Sequence, residues 1–191
     1  MDYDPLSYWN ARKNPNKSDQ APGWLVRYAA AHTASQPRIL ELGPGVGRTF
    51  DIYSAGQEVT TLDLSRQYAE TLAERARERG VTLSQHFLDD PAAPFPFEDG
   101  AFELGVCLQV LMHVPPQFIE HSMGELARVC RRSVIVAGLN EAWNTKTAHC
   151  FNHDYLRICG SIGARANEAF VQKNSICFVL GPAGDGPGRD I

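Results

Sequence analysis

An apolar strand that runs straight into a glycine-rich turn constrains this chain more than any other feature. The segment is Ile39-Leu40-Glu41-Leu42-Gly43-Pro44-Gly45-Val46-Gly47-Arg48. Glycines at such a turn permit positive φ and let a ligand approach the backbone closely. A strand–turn–helix unit of this kind places its loop at the carboxyl edge of a parallel sheet, where open α/β folds bind nucleotides. Dinucleotide enzymes space these glycines as Gly-x-Gly-x-x-Gly to seat a pyrophosphate on a helix N-terminus. Here the spacing is Gly43-x-Gly45-x-Gly47, and an acid, Glu41, stands two residues before the first glycine. A carboxylate there repels a pyrophosphate but suits a cationic group or a zwitterionic tail.

The rest of the chain repeats the theme. From Arg38 onward, apolar runs alternate with amphipathic stretches, the signature of a parallel sheet with crossover helices. The strand candidates are 38–42, 59–62, 82–88, 102–108 and 134–139. One helix is expected with Ser65 as N-cap, Tyr68, Leu72 and Ala76 on its buried face, and Gly80 as its stop. Another opens at Pro115-Pro116 and carries Phe118, Ile119, Met123, Leu126, Ala127 and Cys130. A short helix follows over 154–161. Two extended runs, 164–171 and 175–180, are joined by Gln172-Lys173-Asn174, short enough for a hairpin. Residues 1–36 read as a helical lid or arm, 37–181 as a single α/β domain, and 182–191 as a disordered Gly/Pro-rich tail.

Composition narrows the partners. A formal net charge of −4, with no Lys/Arg-rich block, argues against a polyanion, so a small-molecule or peptide partner is expected and nucleic acid is not. No apolar run approaches the roughly 20 residues of a membrane span. The acidic opening Met1-Asp2-Tyr3-Asp4 is unlike a signal peptide, so a cytoplasmic location without membrane attachment is expected. The five cysteines form no Cys-x-x-Cys pair and read as reduced thiols.

Across Glu41-Leu42-Gly43-Pro44-Gly45-Val46-Gly47 the chain resembles the class I (Rossmann-like) S-adenosylmethionine-dependent methyltransferases, whose first motif is Glu/Asp-x-Gly-x-Gly-x-Gly. The resemblance extends over roughly residues 38–180. It implies a three-layer sandwich around a seven-stranded, mostly parallel sheet, the last strand running antiparallel between the fifth and sixth. It also implies S-adenosyl-L-methionine as cofactor, with Glu41, Gly43, Gly45 and Gly47 around its methionine part. Asp63, at the tip of the second strand with Leu64 beside it, fits an acceptor for ribose hydroxyls. Its other reading is a charge favouring the next helix dipole.

The third strand ends in Leu88-Asp89-Asp90-Pro91, and in the family an acid here accepts from the adenine amino group while the next backbone N–H reaches the ring. Pro91 has no N–H, which favours Asp89 and keeps Asp90 in reserve. The run Pro96-Phe97-Glu98-Asp99-Gly100-Ala101-Phe102-Glu103 is similar to the family's approach to its fourth strand. Gln109-Val110-Leu111-Met112-His113-Val114 is similar to its Gln-Val-Leu-Glu-His-Val, with Met112 replacing the acid. The resemblance therefore sets Leu108, Gln109 and His113 at the floor of the transfer site.

His113 and His149 are the catalytic candidates, since imidazole is the usual base near neutral pH. The spacing of His149 and His153 hints at a metal, but the segment resembles the family's approach to its last core helix, which implies Asn152 as N-cap, His153 and Asp154 in the first turn and His149 in a loop, so no metal is expected. Tyr8 and Arg12 offer an aromatic surface and a guanidinium that either close over the cofactor or pack the arm onto the domain. The expected reaction is methyl transfer to an oxygen or nitrogen of a small acceptor, with a homodimer as one way to close the cleft. The rivals are a cofactor-binding subunit without activity and a nucleotide-dependent oxidoreductase.

Overall fold

The computed structural model describes residues 3–12, 21–138 and 149–182. The expected tail beyond Pro182 and most of the 140–149 loop lie outside these. Seven strands form one sheet: β1 (Arg38–Leu42), β2 (Glu58–Asp63), β3 (Thr82–Phe87), β4 (Leu104–Leu108), β5 (Ser133–Gly138), β6 (Ala164–Gln172) and β7 (Ser175–Pro182). Their order is β3-β2-β1-β4-β5-β7-β6. The first five pair in parallel, and β7 lies antiparallel between β5 and β6. This is the class I methyltransferase sheet that the resemblance implied. The order reverses between β1 and β4, which opens a crevice at the carboxyl ends of those two strands.

Among the described residues there are five α-helices: α1 (Pro5–Ala11), α2 (Gly23–Thr33), α3 (Ala69–Arg79), α4 (Ile119–Val129) and α5 (Tyr155–Ser161). Strand alternation sorts the core into two faces. Leu40, Leu42, Cys107, Ile135 and Ala137 meet α4 and α5. Ile39, Leu104, Val106 and Val134 pack with Ala29 of α2 and with Leu72 and Ala76 of α3. Glu41 shares the parity of Ile39 and is thereby carried into the second face, only 2% exposed.

Several local expectations hold and others shift. Gly80 ends α3 with φ +67, a left-handed cap that glycine adopts at least cost. Ser65 does not cap that helix. The Asp63 carboxylate accepts from the Ser65 backbone N–H at 3.0 Å and holds the chain in a turn, so α3 begins only at Ala69. Asn152 does not cap α5 either; Asp154 does, accepting from the Arg157 N–H at 3.0 Å. β4 starts at Leu104, while Phe102 makes an isolated bridge to Cys130. The β6–β7 hairpin turns on two residues, Lys173 (φ +45) and Asn174 (φ +62), because Gln172 already pairs with Ser175. Paired positive φ values match the twist of the flanking strands. All five cysteines are buried thiols. No helix among the described residues is long and apolar enough to cross a membrane.

Candidate active site

The carboxyl ends of β1, β2 and β4 open into a cavity of about 910 Å³, near the upper end of the range for small-molecule sites. Its wall includes Glu41, Gly43, Gly45, Asp63, Leu64, Leu108, Gln109 and His113, with Arg12 and His149 from outside the sheet. Ten of the sequence candidates therefore meet at one place.

The three loop glycines all have positive φ, at +63, +54 and +75 for Gly43, Gly45 and Gly47, yet they serve different ends. A side chain on Gly43 would strike Val110 at 2.7 Å, and one on Gly47 would strike Leu72 at 2.8 Å. Gly45 would meet nothing within 4 Å, so its bare backbone faces open space where a ligand can approach. Gly47 does not line the cavity; it lets the loop pack on α3.

Two acids flank this opening. Asp63 Oδ2 accepts from the Gly45 N–H at 3.3 Å while Oδ1 takes the Ser65 N–H, so the carboxylate is fixed at the strand tip. Burial raises its pKa above the usual carboxylate range. Glu41 is more extreme. Burial pushes it up to about 7, although Thr49 donates to Oε1 at 3.0 Å. Its buried Oε2 lies against the buried Tyr53 hydroxyl, which also stabilises the charged carboxyl. A buried carboxyl is costly to charge, so a cationic or N–H-bearing ligand beside it would favour the ionised form.

The third-strand acids depart from expectation. Leu88 turns inward, so the next residue points to solvent, and Asp89 pairs with Arg66 at 2.9 Å with its side chain 79% exposed. Asp90 accepts from the Ala92 N–H at 2.8 Å. Neither lines the cavity, whose wall here consists of Leu88, Pro91 and Phe95.

The floor is strained. Gln109 leaves β4 with φ +61, an uncommon conformation for a side-chain-bearing residue, held by its N–H on the Val136 carbonyl (2.6 Å) and its Nε2 on Ser175 Oγ (3.0 Å). Four residues later, His113 Nδ1 meets the His149 backbone carbonyl at 2.8 Å. A carbonyl only accepts, so Nδ1 carries the proton and Nε2 keeps the lone pair. Burial pushes His113 down to about 4, with the charge of Arg12 adding to the effect, so the ring is neutral at pH 7.

Helix α1 closes the site from above. Pro5 starts it, and Asp4 caps it by accepting from the Ser7 N–H at 3.0 Å. Tyr3 donates to the His113 carbonyl at 3.2 Å, and Asn10 donates to the Leu64 carbonyl at 3.3 Å. Tyr8 stacks on His149 with ring centroids 4.7 Å apart, its hydroxyl 3.1 Å from Nδ1. Arg12 donates to the Tyr8 hydroxyl and reaches His149 Nε2 at 3.3 Å. Burial, then Arg12, lowers the His149 pKa. Tyr8 stands behind His149 and is not part of the cavity wall, whereas Trp9 and Arg12 are.

Among the described residues, His113, His149 and Cys150 bring donor atoms within 4.8 Å of one another. That arrangement suits a metal poorly: His113 Nδ1 holds its proton against a carbonyl, and a guanidinium sits on His149. His153, the other half of the pair noted in the sequence, has Nε2 at 2.9 Å from the Val114 carbonyl. Thr49, Tyr68, Trp24 and Ser175 complete the site without being marked by any motif. Only contact in space could have revealed them.

Residues 40–137, just over half of the chain, match the family model described as a methyltransferase domain. The protein belongs to this methyltransferase family. Phosphatidylethanolamine N-methyltransferase of Cereibacter sphaeroides is 31% identical over 115 residues, covering 60% of this chain and 56% of that protein. The chain thus matches little more than half the length of this curated relative. Among solved structures, an S-adenosylmethionine-dependent methyltransferase of Methanosarcina mazei superposes with a TM-score of 0.66 at 15% identity, covering 87% of this chain and 100% of that one. Magnesium protoporphyrin IX methyltransferase of Synechocystis PCC 6803, with bound S-adenosylhomocysteine, gives 0.63 at 18% identity, covering 91% and 90%. The chain shares the fold of these S-adenosylmethionine-dependent enzymes. The open backbone at Gly45, the fixed carboxylate of Asp63 and the buried Glu41 carboxyl are compatible with a ligand of that kind.

Proposed function

We propose that the protein transfers the methyl group of S-adenosylmethionine to the nitrogen of a small amine acceptor. The observation that carries this reading is His113: a neutral ring whose proton is committed to a backbone carbonyl, leaving one weakly basic nitrogen on the wall of the transfer site. Such a nitrogen accepts a hydrogen bond from an N–H and orients the lone pair beside it. It is too weak a base to strip an alcohol of its proton efficiently. An amine that arrives neutral already has its nucleophilic lone pair. The N-methyltransferase relative is consistent with the same choice of atom.

In this reading Gly43, Gly45 and Glu41 hold the amino-acid end of the cofactor and Asp63 its ribose. The methyl donor itself supplies the leaving sulfide. In-line displacement neutralises the sulfonium, so the protein contributes mainly alignment and exclusion of water. Gln109 and His113 position the acceptor, and α1 shuts out solvent. His149 is a positioning residue: Arg12 covers its Nε2, so it holds His113 and the arm together.

The test is a screen with isotopically labelled methyl donor over amines, phenols, alcohols and short peptides, read by mass spectrometry. Label on nitrogen is expected. Label confined to oxygen acceptors would overturn the choice of atom. Cofactor binding with no transfer to any acceptor would favour a non-catalytic subunit.

A further inference from the structure

We propose that Gln109 and His113 offer the incoming nitrogen a pair of hydrogen-bond acceptors, so that the site selects a primary amine and stops after one methyl group. This rests on the amine reading above and names the substrate class within it.

Gln109 leaves β4 in the left-handed region, at φ +61, which a side-chain-bearing residue keeps only when its surroundings hold it there. Its Nε2 donates to Ser175 Oγ at 3.0 Å, at the tip of the β6–β7 hairpin, and this fixes the plane of the amide. The other end of the amide, Oε1, faces the end of β5, where a Cβ on Gly138 would lie 3.8 Å from it. Glycine there leaves that flank of the oxygen open. Among the described residues nothing donates to Oε1. The His113 N–H closes the turn that follows on the Val110 carbonyl at 2.8 Å and returns the chain to the same wall. Gln109, His113, Gly138 and Ser175 all line the cavity. His113 Nδ1 is committed to the His149 carbonyl, so Nε2 is a second acceptor.

A neutral primary amine carries two N–H donors and one lone pair. With both donors accepted by Oε1 and Nε2, the lone pair is left to face the methyl group. That pair forms the new N–C bond, the C–S bonding pair leaves with sulfur, and the product departs as a secondary ammonium ion. One of its protons then passes to water outside the site. An amine that arrives protonated has no lone pair to give, and a secondary amine leaves one acceptor without a donor. A site built around an N–H rejects an analogue lacking it far more strongly than an apolar pocket rejects a missing methylene. The competing account is that the Gln109–Ser175 bond only ties the hairpin to β4. That account gives no preference among amines by their number of N–H groups.

The experiment uses the full chain and two amine series, aniline and benzylamine, each as the primary, N-methyl and N,N-dimethyl form. The anilines stay neutral at neutral pH, so charge is constant across that series. Binding is read by calorimetry in the presence of S-adenosylhomocysteine, and transfer by mass spectrometry with labelled methyl donor. Aniline should bind about tenfold more tightly than N-methylaniline, and labelled product should stop at one methyl group in both series. Gln109→Met should reduce the binding ratio to about twofold, and Ser175→Ala, which frees the amide, should lower it in the same direction. Equal binding of aniline and N-methylaniline by the unaltered protein, or build-up of dimethylated product, would overturn the acceptor pair. A Gln109→Met variant that keeps the full ratio would remove Gln109 from it. Label on amines without regard to their N–H groups sinks this inference alone, whereas label on phenols or alcohols and on no amine sinks the amine reading beneath it.

Discussion

Glu41 shows at the scale of one residue how a motif becomes an electrostatic device. Strand parity buries it, and burial outweighs the hydrogen bonds from Tyr53 and Thr49, so its pKa rises from 4.5 to about 7. The linkage has a definite sign. Between those values the folded carboxyl holds its proton while the unfolded one has lost it, so stability present below pH 4.5 falls as pH rises toward 7, by about 3 kcal/mol in all. Glu41→Gln should abolish this component. The difference in thermal midpoint between variant and parent, measured from pH 4.5 to 7.5, is expected to move in the variant's favour as pH rises; a constant difference would place the raised pKa elsewhere. Asp63 has a different task, and Asp63→Asn should weaken S-adenosylmethionine by about 1.5–3 kcal/mol through lost charge-assisted hydrogen bonds. An unchanged dissociation constant in calorimetry would remove it from the site. Both acids were legible in the sequence because strand, turn and acid lie within one local unit. Asp89 and Asp90 were not placed correctly at the cavity, because which way a strand-end side chain turns depends on its partners, here Arg66 and the Ala92 N–H.

Among the elements, the strands were easier to read than the helix starts. Long apolar runs signal a doubly covered sheet directly, whereas a cap is decided by competition among nearby polar groups. Asp63 wins the Ser65 N–H, and Asp154 displaces Asn152. The β4–β5 pairing also depends on something no pattern reveals, the absence of a side chain at Gly105. A Cβ there would lie 2.2 Å from Ser133 Oγ and 2.9 Å from Cys130 Sγ. Gly105→Ala should therefore cost about 1–3 kcal/mol by overpacking, seen as a lower denaturation midpoint at unchanged slope. No loss would mean that the strand ends can slide apart at little cost.

On the scale of the whole molecule, the sheet and the arm divide the work. Core and cofactor loop belong to the sandwich, while α1 contributes one buried residue, Pro5, and a set of side chains over the transfer site. Removing residues 1–12 should leave the thermal midpoint within a few degrees of the parent. Turnover with the labelled donor should fall about a hundredfold, because alignment and exclusion of water are what the arm supplies. Equal loss of stability and activity would instead make the arm part of the core.

The sequence by itself determined the strands of the parallel sheet and its glycine-rich loop, since periodicity and glycine spacing act over a few neighbouring residues; the order of the strands came with the tertiary structure. Only the tertiary structure decided what stands over that loop. Tyr8, Trp9 and Arg12 lie more than 100 residues from His113 and His149, and no local pattern can say that two such segments meet. Their meeting depends on where β4 ends and how α1 docks on the turn after β2, which packing of the folded chain alone fixes.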